Sequence, residues 1–188
     1  MKRRNRQRCL ILIDGSNFYF KLKEIKLQNL LEFDFYRFSE MLARRKGEVA
    51  QATYYVGRIR TDGTAKTKRL FNDQRKLLAH LKKCKFSYSL GYLMKTDGKY
   101  HEKGVDVNIA VDILVSTYEN LSDRIIVVSS DTDLLPAIQK AKEKGKIVEY
   151  IGFSHRPSVA MVATCSVSRL LGREDLEKFT KRRNKKSL

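Results

Sequence analysis

Two apolar runs in this chain end in carboxylates. Cys9-Leu10-Ile11-Leu12-Ile13 passes directly into Asp14-Gly15-Ser16-Asn17, and Ile125-Ile126-Val127-Val128-Ser129-Ser130 passes into Asp131-Thr132-Asp133. A third acidic position, Asp106, follows Lys103-Gly104-Val105, with Asp112 six residues further on. Taken singly, each of these acids suits a helix cap or a first helical turn, where a carboxylate complements the exposed N–H groups and the dipole. Asp112 does not share a helix face with Asp106 at that spacing. If the two runs are parallel strands of one sheet, however, Asp14 and Asp131 lie on the same carboxyl edge, where such sheets place their sites. Carboxylates gathered there repel one another and raise each other's pKa. A divalent cation removes the conflict, and donor sets made only of oxygen favour Mg²⁺ or Mn²⁺. Such an ion polarises a phosphoryl group and orients hydroxide for in-line attack.

The charge of the whole chain fits a polyanionic substrate. Its 188 residues carry 39 Lys+Arg against 21 Asp+Glu, a formal net charge of +18. That balance points to nucleic acid rather than a small neutral or cationic substrate. Residues 1–8 hold five basic groups and residues 178–188 hold six, with no acid in either segment. Both read as basic arms flanking one domain over 9–177, serving either as solubilising ends or as nucleic-acid anchors. Without them the body has 28 basic against 21 acidic residues, still +7. The three cysteines show no CxxC pair, so neither a disulfide framework nor a zinc site is expected. No apolar stretch reaches the length of a membrane span or a signal-peptide core, and the expected location is the cytoplasm. A monomer and a homodimer are both compatible with the composition.

Positioning these acids requires strands alternating with helices. Periodicity predicts strands over 9–13, 49–59, 86–94, 124–129 and 146–151, with a turn at 96–98. It predicts helices beginning at 16–31 and covering 35–45, 65–83, 104–120, 134–144, 157–164 and 172–180. In the helix over 104–120, Val107, Ala110, Val111, Leu114 and Val115 are expected to form the apolar stripe. The alternation implies a three-layer, Rossmann-like α/β domain with a mostly parallel sheet. No GxGxxG follows the first strand and no GxxxxGK[ST] occurs, which argues against a dinucleotide enzyme or a P-loop NTPase. A phosphatase using Asp14 as a covalent nucleophile would need a second Asp where Ser16 stands.

Ile-Asp-Gly-Ser-Asn (13–17), Lys-Gly-Val-Asp-Val (103–107) and Ser-Ser-Asp-Thr-Asp-Leu (129–134), in this order and spacing, resemble the NYN domain, a branch of the PIN-like nucleases. The similarity is greatest to its bacterial LabA-like subgroup. It implies a PIN-like fold and Mg²⁺- or Mn²⁺-dependent ribonuclease activity. By motif, Asp14, Asp106 and Asp131 would be the principal ligands, Asp133 a further ligand or water-orienting acid, and Asn17 a polar helper. Asp112 is a secondary candidate. Thr132 and Leu134 stand where Ser or Gly and Phe are more usual. Some members of the family act as binding or regulatory proteins, so a non-catalytic RNA-binding module is the alternative expectation.

RNA, or in a close variant DNA, would be held by cations near the strand ends. Ten basic residues and two acids lie between Arg58 and Lys85. Arg58, Arg60 and Lys66, with Lys68 and Arg69, follow the end of a strand and can track a phosphate backbone. Others on the long helix read as a solvated face. Lys95 and Lys103 bracket a hairpin ahead of Asp106. Of Phe18, Tyr19 and Phe20, Tyr19 is the expected stacking platform for a splayed base. Tyr54, Tyr55, Tyr88 and Tyr92 are expected to pack, and His101 and His155 to be surface imidazoles.

Overall fold

The computed structural model describes residues 6–27, 29–44, 47–96 and 99–180, with the backbone alone at 93, 95, 96 and 99–102. The basic arms expected at 1–8 and 178–188 thus lie largely outside the described residues, as does most of the turn at 96–98.

The apolar run after the basic N-terminus forms β1 (Gln7–Asp14) at the centre of a seven-stranded sheet. It is followed by α1 (Gly15–Glu24), α2 (Phe35–Ala43), β2 (Gly47–Gly57), α3 (Ala65–Lys83), and the hairpin of β3 (Ser87–Thr96) and β4 (Lys99–Lys103). Next come α4 (Val105–Tyr118), β5 (Arg124–Val128), α5 (Leu135–Glu143), β6 (Ile147–Phe153), α6 (Val159–Thr164), β7 (Val167–Leu171) and α7 (Arg173–Glu177). The strand order is β4-β3-β2-β1-β5-β6-β7. Six strands are mutually parallel, and β4 runs antiparallel at the β3 edge. The chain first winds outward from β1 through β2 and β3, then crosses back to place β5 on the other side of β1. The switch point therefore falls between β1 and β5, where doubly wound sheets open a crevice beyond their carboxyl ends.

Alternation along β1 divides the interior into two cores, giving the three layers. Cys9, Ile11 and Ile13 face Phe18 and Leu22 of α1, Phe35, Phe38 and Leu42 of α2, and Leu81 of α3. Leu10 and Leu12 face Val105, Ile109 and Ile113 of α4 and Ala137, Ile138 and Ala141 of α5. β5 is buried along its whole length, as a strand covered on both faces must be. Phe18 is the hub of the first core, with Phe33 at 5.5 Å, Phe38 at 5.6 Å and Phe153 at 6.0 Å between ring centroids. Aromatic pairs of this kind add about 0.5–1.5 kcal/mol each beyond area burial. They anchor α1 directly beneath the turn that carries Asp14.

Several expectations change. The helix predicted to begin over 16–31 stops at Glu24, because Lys26 turns to positive φ (62°) and the Leu27 N–H folds back on the Leu22 carbonyl at 2.8 Å. The stripe expected on α4 is only partly its buried face: Ala110 and Leu114 pack against the second core. Ile109 and Ile113 point inward, whereas Val107, Val111 and Val115 are exposed. α4 is apolar nearly all round, so periodicity alone could not select the side. β7 had no signal: only Leu171 of its five residues is buried, as befits an edge strand. The packed body also runs past 9 and 177. Arg8 in β1 pairs with Asp123 at 2.8 Å, and Phe179 is buried against Phe33 and Phe38. Cys9, Cys84 and Cys165 are buried free thiols. Among the described residues no helix is long and apolar enough to cross a membrane.

Candidate metal centre

Asp14 ends β1 and caps α1. Its Oδ1 accepts the Asn17 N–H at 3.0 Å and its Oδ2 accepts the Ser129 hydroxyl at 2.9 Å. The second bond follows from sheet register: Ile13 lies beside Val128, so Ser129 falls beside Asp14. Ser129 is itself buried, and its Oγ accepts the Asp131 N–H at 3.1 Å. Asp131 caps the 3-10 turn Thr132–Leu134, its Oδ1 accepting the Asp133 N–H at 3.0 Å. Asn17 closes the ring, its side-chain carbonyl accepting the Ser130 N–H at 3.3 Å. The capping role and the chemical role of these acids are thus compatible: capping fixes each carboxylate's rotamer and leaves it facing the crevice.

Asp106 arrives from the opposite wall, in the first turn of α4. That helix starts from Gly104 in the left-handed region (φ 80°), with no side-chain cap, so the Asp106 carboxylate is the acid nearest its exposed N–H groups. One oxygen each from Asp14, Asp106 and Asp131 lie within 4.8 Å of one another. With Ser16, Asn17, Phe20 and Val105 they line a cavity of about 280 Å³. All three donors are hard oxygens on separate segments, a set suited to Mg²⁺ or Mn²⁺ and unsuited to a soft metal.

The other expected residues are dispersed. Asp133 is exposed and stands outside the converging group. Asp112 faces elsewhere, taking the hydroxyl hydrogen bond of Tyr55 and lining a different hollow with Leu10, Gln51 and Ser122. Burial, and then that bond, hold the Tyr55 phenol far above its ordinary pKa. Arg58 and Arg60 are exposed on the segment leaving β2, whose Tyr55 pairs with Asp14, and Lys66 is exposed in the first turn of α3; none of the three lines the cavity. Lys103 is exposed immediately before Gly104. The Lys95 and His101 side chains lie outside the described residues. Farther along α3, Arg69 and Lys76 flank Asp73 and Lys82 lies over Tyr88, an ordinary surface.

Tyr19 is half-buried against the first core, whereas Phe20, 58% exposed, lines the cavity. Tyr54 and Tyr55 pack as expected, but Tyr92 is 70% exposed, its ring beside Gly104. His155 is engaged by Glu24 at 2.7 Å, away from the acids. Ser129 stood in the third motif with no role assigned, and Phe20 stood beside Tyr19 in the aromatic triplet: Ser129 acquires its role through register, and Phe20 through the direction α1 takes.

The sequence profile of the NYN domain matches residues 8–169, which include every acid of this centre. The chain belongs to the NYN domain family. This NYN domain is also 39% identical over 87 residues to an uncharacterized protein of Methanocaldococcus jannaschii, a match spanning 45% of this chain and 36% of that relative. A solved structure of a protein of unknown function from Vibrio parahaemolyticus has the same fold, with a TM-score of 0.65 over 93% of this chain and 98% of that one, at 22% identity. Membership makes the domain nuclease-like, and its acidic cluster is the feature able to bind metal.

Proposed function

We propose that this NYN domain is a metal-dependent ribonuclease that hydrolyses RNA phosphodiester bonds. The observation that carries the reading is the convergence of Asp14, Asp106 and Asp131 from three separate segments to within 4.8 Å. These residues would hold Mg²⁺ or Mn²⁺, which when bound polarises the phosphoryl group and lowers the pKa of water. Ser129 and the Asn17 N–H keep Asp14 turned into the crevice. Asp133, exposed beside Asp131, is the acid available to orient a water or a 2′-hydroxyl from the open side. Arg58, Arg60, Lys66 and Lys103 would bind the flanking phosphates and fix the strand's path across the edge.

Labelled single-stranded RNA incubated with Mn²⁺ or Mg²⁺ and either wild type or Asp131→Asn tests this reading. Cleavage by wild type and its loss in the variant are expected. Equal cleavage by both proteins would sink the assignment of the site. The +18 charge supports a second reading, a regulatory module that binds RNA without cutting it. That reading requires no turnover with any divalent ion and a salt-dependent affinity that survives Asp131→Asn.

A further inference from the structure

Phe20 has no structural task that needs a phenyl ring. On α1 the inward positions are Phe18 and Leu22, both fully buried, and Phe20 projects from the other side, 58% exposed. Its neighbours on that helix include Asn17, Lys21, Lys23 and Glu24. The ring nevertheless does not lie on open surface. It forms part of the wall of the cavity that contains Asp14, Asp106 and Asp131. Tyr19 contacts it edge-on, at 5.6 Å between centroids and 66° between planes. A large apolar ring beside three carboxylates suits a ligand with both an apolar face and an anionic group that a cation held by the acids would accept.

We infer that Phe20 is a stacking platform for an unpaired nucleobase, so that the centre selects single-stranded over base-paired nucleic acid. This rests on the nuclease reading for the nature of the polymer, and it adds a base-binding subsite on α1. A nucleobase joined to a phosphate meets the requirement: the phosphate would be drawn to a cation held by Asp14, Asp106 and Asp131 while the base reaches the adjoining wall. Every base has a π-face, so the ring grips the strand without reading its sequence. A base within a duplex has both faces covered by its neighbours and cannot use the ring unless it is splayed out. Tyr19 packs against Phe20 as a T-shaped pair, and the 58% exposure of Phe20 leaves ring surface for a base.

The test reads equilibrium binding rather than cleavage, in the full chain with its acids intact and with Ca²⁺, another hard oxygen-seeking ion, replacing Mg²⁺ or Mn²⁺, read before any strand is cut. The probes are a short labelled single-stranded RNA, the same RNA as a blunt duplex, and an abasic sugar-phosphate strand of equal length. Phe20→Leu removes the π-face and keeps an apolar side chain, and Phe20→Trp keeps the face. Stacking on one base predicts that Phe20→Leu weakens single-strand binding roughly 5- to 100-fold, that Phe20→Trp retains it, and that duplex and abasic binding stay unchanged. Single-strand affinity unchanged in Phe20→Leu overturns the inference, and so does an equal loss on the abasic strand, which would mean general apolar contact. If wild type cleaves RNA through its acids while Phe20→Leu binds normally, only the stacking subsite fails. If no cleavage occurs but the single-strand loss is seen, the subsite stands and the nuclease reading fails.

Discussion

The hydroxyl of Ser129 donates to Oδ2 of Asp14 at 2.9 Å, joining residues 115 positions apart across neighbouring parallel strands. The same oxygen accepts the Asp131 N–H, so one buried atom sets the spacing of two acids. Ser129→Ala leaves that N–H without its acceptor and removes the hydroxyl donor from Oδ2 of Asp14. The expected loss of stability is about 1–3 kcal/mol, read by urea denaturation. Mn²⁺ affinity, read by titration calorimetry, should fall roughly 10–100-fold, as for loss of a group that orients a ligand.

Asp131→Asn keeps the side-chain oxygen that accepts the Asp133 N–H while removing one charge from the acidic group. Its melting temperature without metal should therefore equal or exceed that of wild type, because three clustered carboxylates repel. Mn²⁺ at about 100 times its Kd should stabilise wild type by roughly 2.7 kcal/mol. The variant should show no such shift. Asp133→Asn, altering an acid outside the cluster, should keep the Mn²⁺ shift and slow RNA cleavage less than Asp131→Asn does.

At the far end of the sheet Glu149 is fully buried. It is ion-paired with Arg124, with Arg169 at 3.1 Å and with Arg44 at 3.5 Å. Glu149→Gln leaves buried guanidinium charge uncompensated, with an expected loss of about 3–5 kcal/mol in denaturant unfolding. Because the network lies at the strand starts, RNA cleavage per folded molecule should not change. A cleavage defect without a stability loss would contradict this separation.

Asp62 accepts hydrogen bonds from the hydroxyls of Thr67 and Thr64 and from the Thr64 N–H, closing the turn between the basic segment and α3. The Thr67 bond, then those of Thr64, lower its pKa from 3.8 to about 2. A carboxylate depressed in the folded state stabilises the fold above its unfolded pKa and loses that contribution as pH falls through the folded value. The contribution of Asp62 to the turn should therefore be complete above about pH 4 and decline as pH falls from about 4 toward 2. Carboxyl chemical shifts across that window should show the depressed titration of Asp62, and Asp62→Asn should remove that dependence. A titration midpoint near 4 for Asp62 would refute the bonded turn.

The parallel sheet was legible because its central strands are short apolar runs, residues 9–13 and 125–128, too short for helices and followed by acids. The limits of α3 follow from its Thr64 cap and amphipathic pattern. Two features were hidden. The buried face of α4 cannot be read from a helix apolar on nearly every side, and β7 is an edge strand with little to bury.

Residue types alone determined that this chain is a basic α/β domain with acids at two strand ends, because hydrophobic periodicity and charge are local properties of a sequence. Only the tertiary structure decided which oxygens meet. It brought Asp106 across to Asp14 and Asp131, left Asp133 outside, turned Asp112 to Tyr55, and chose Phe20 over Tyr19 for the cavity wall. The reason is geometric. Strand register and the direction in which each helix leaves its strand set side-chain positions to within a few ångströms, and neither is a function of nearby sequence.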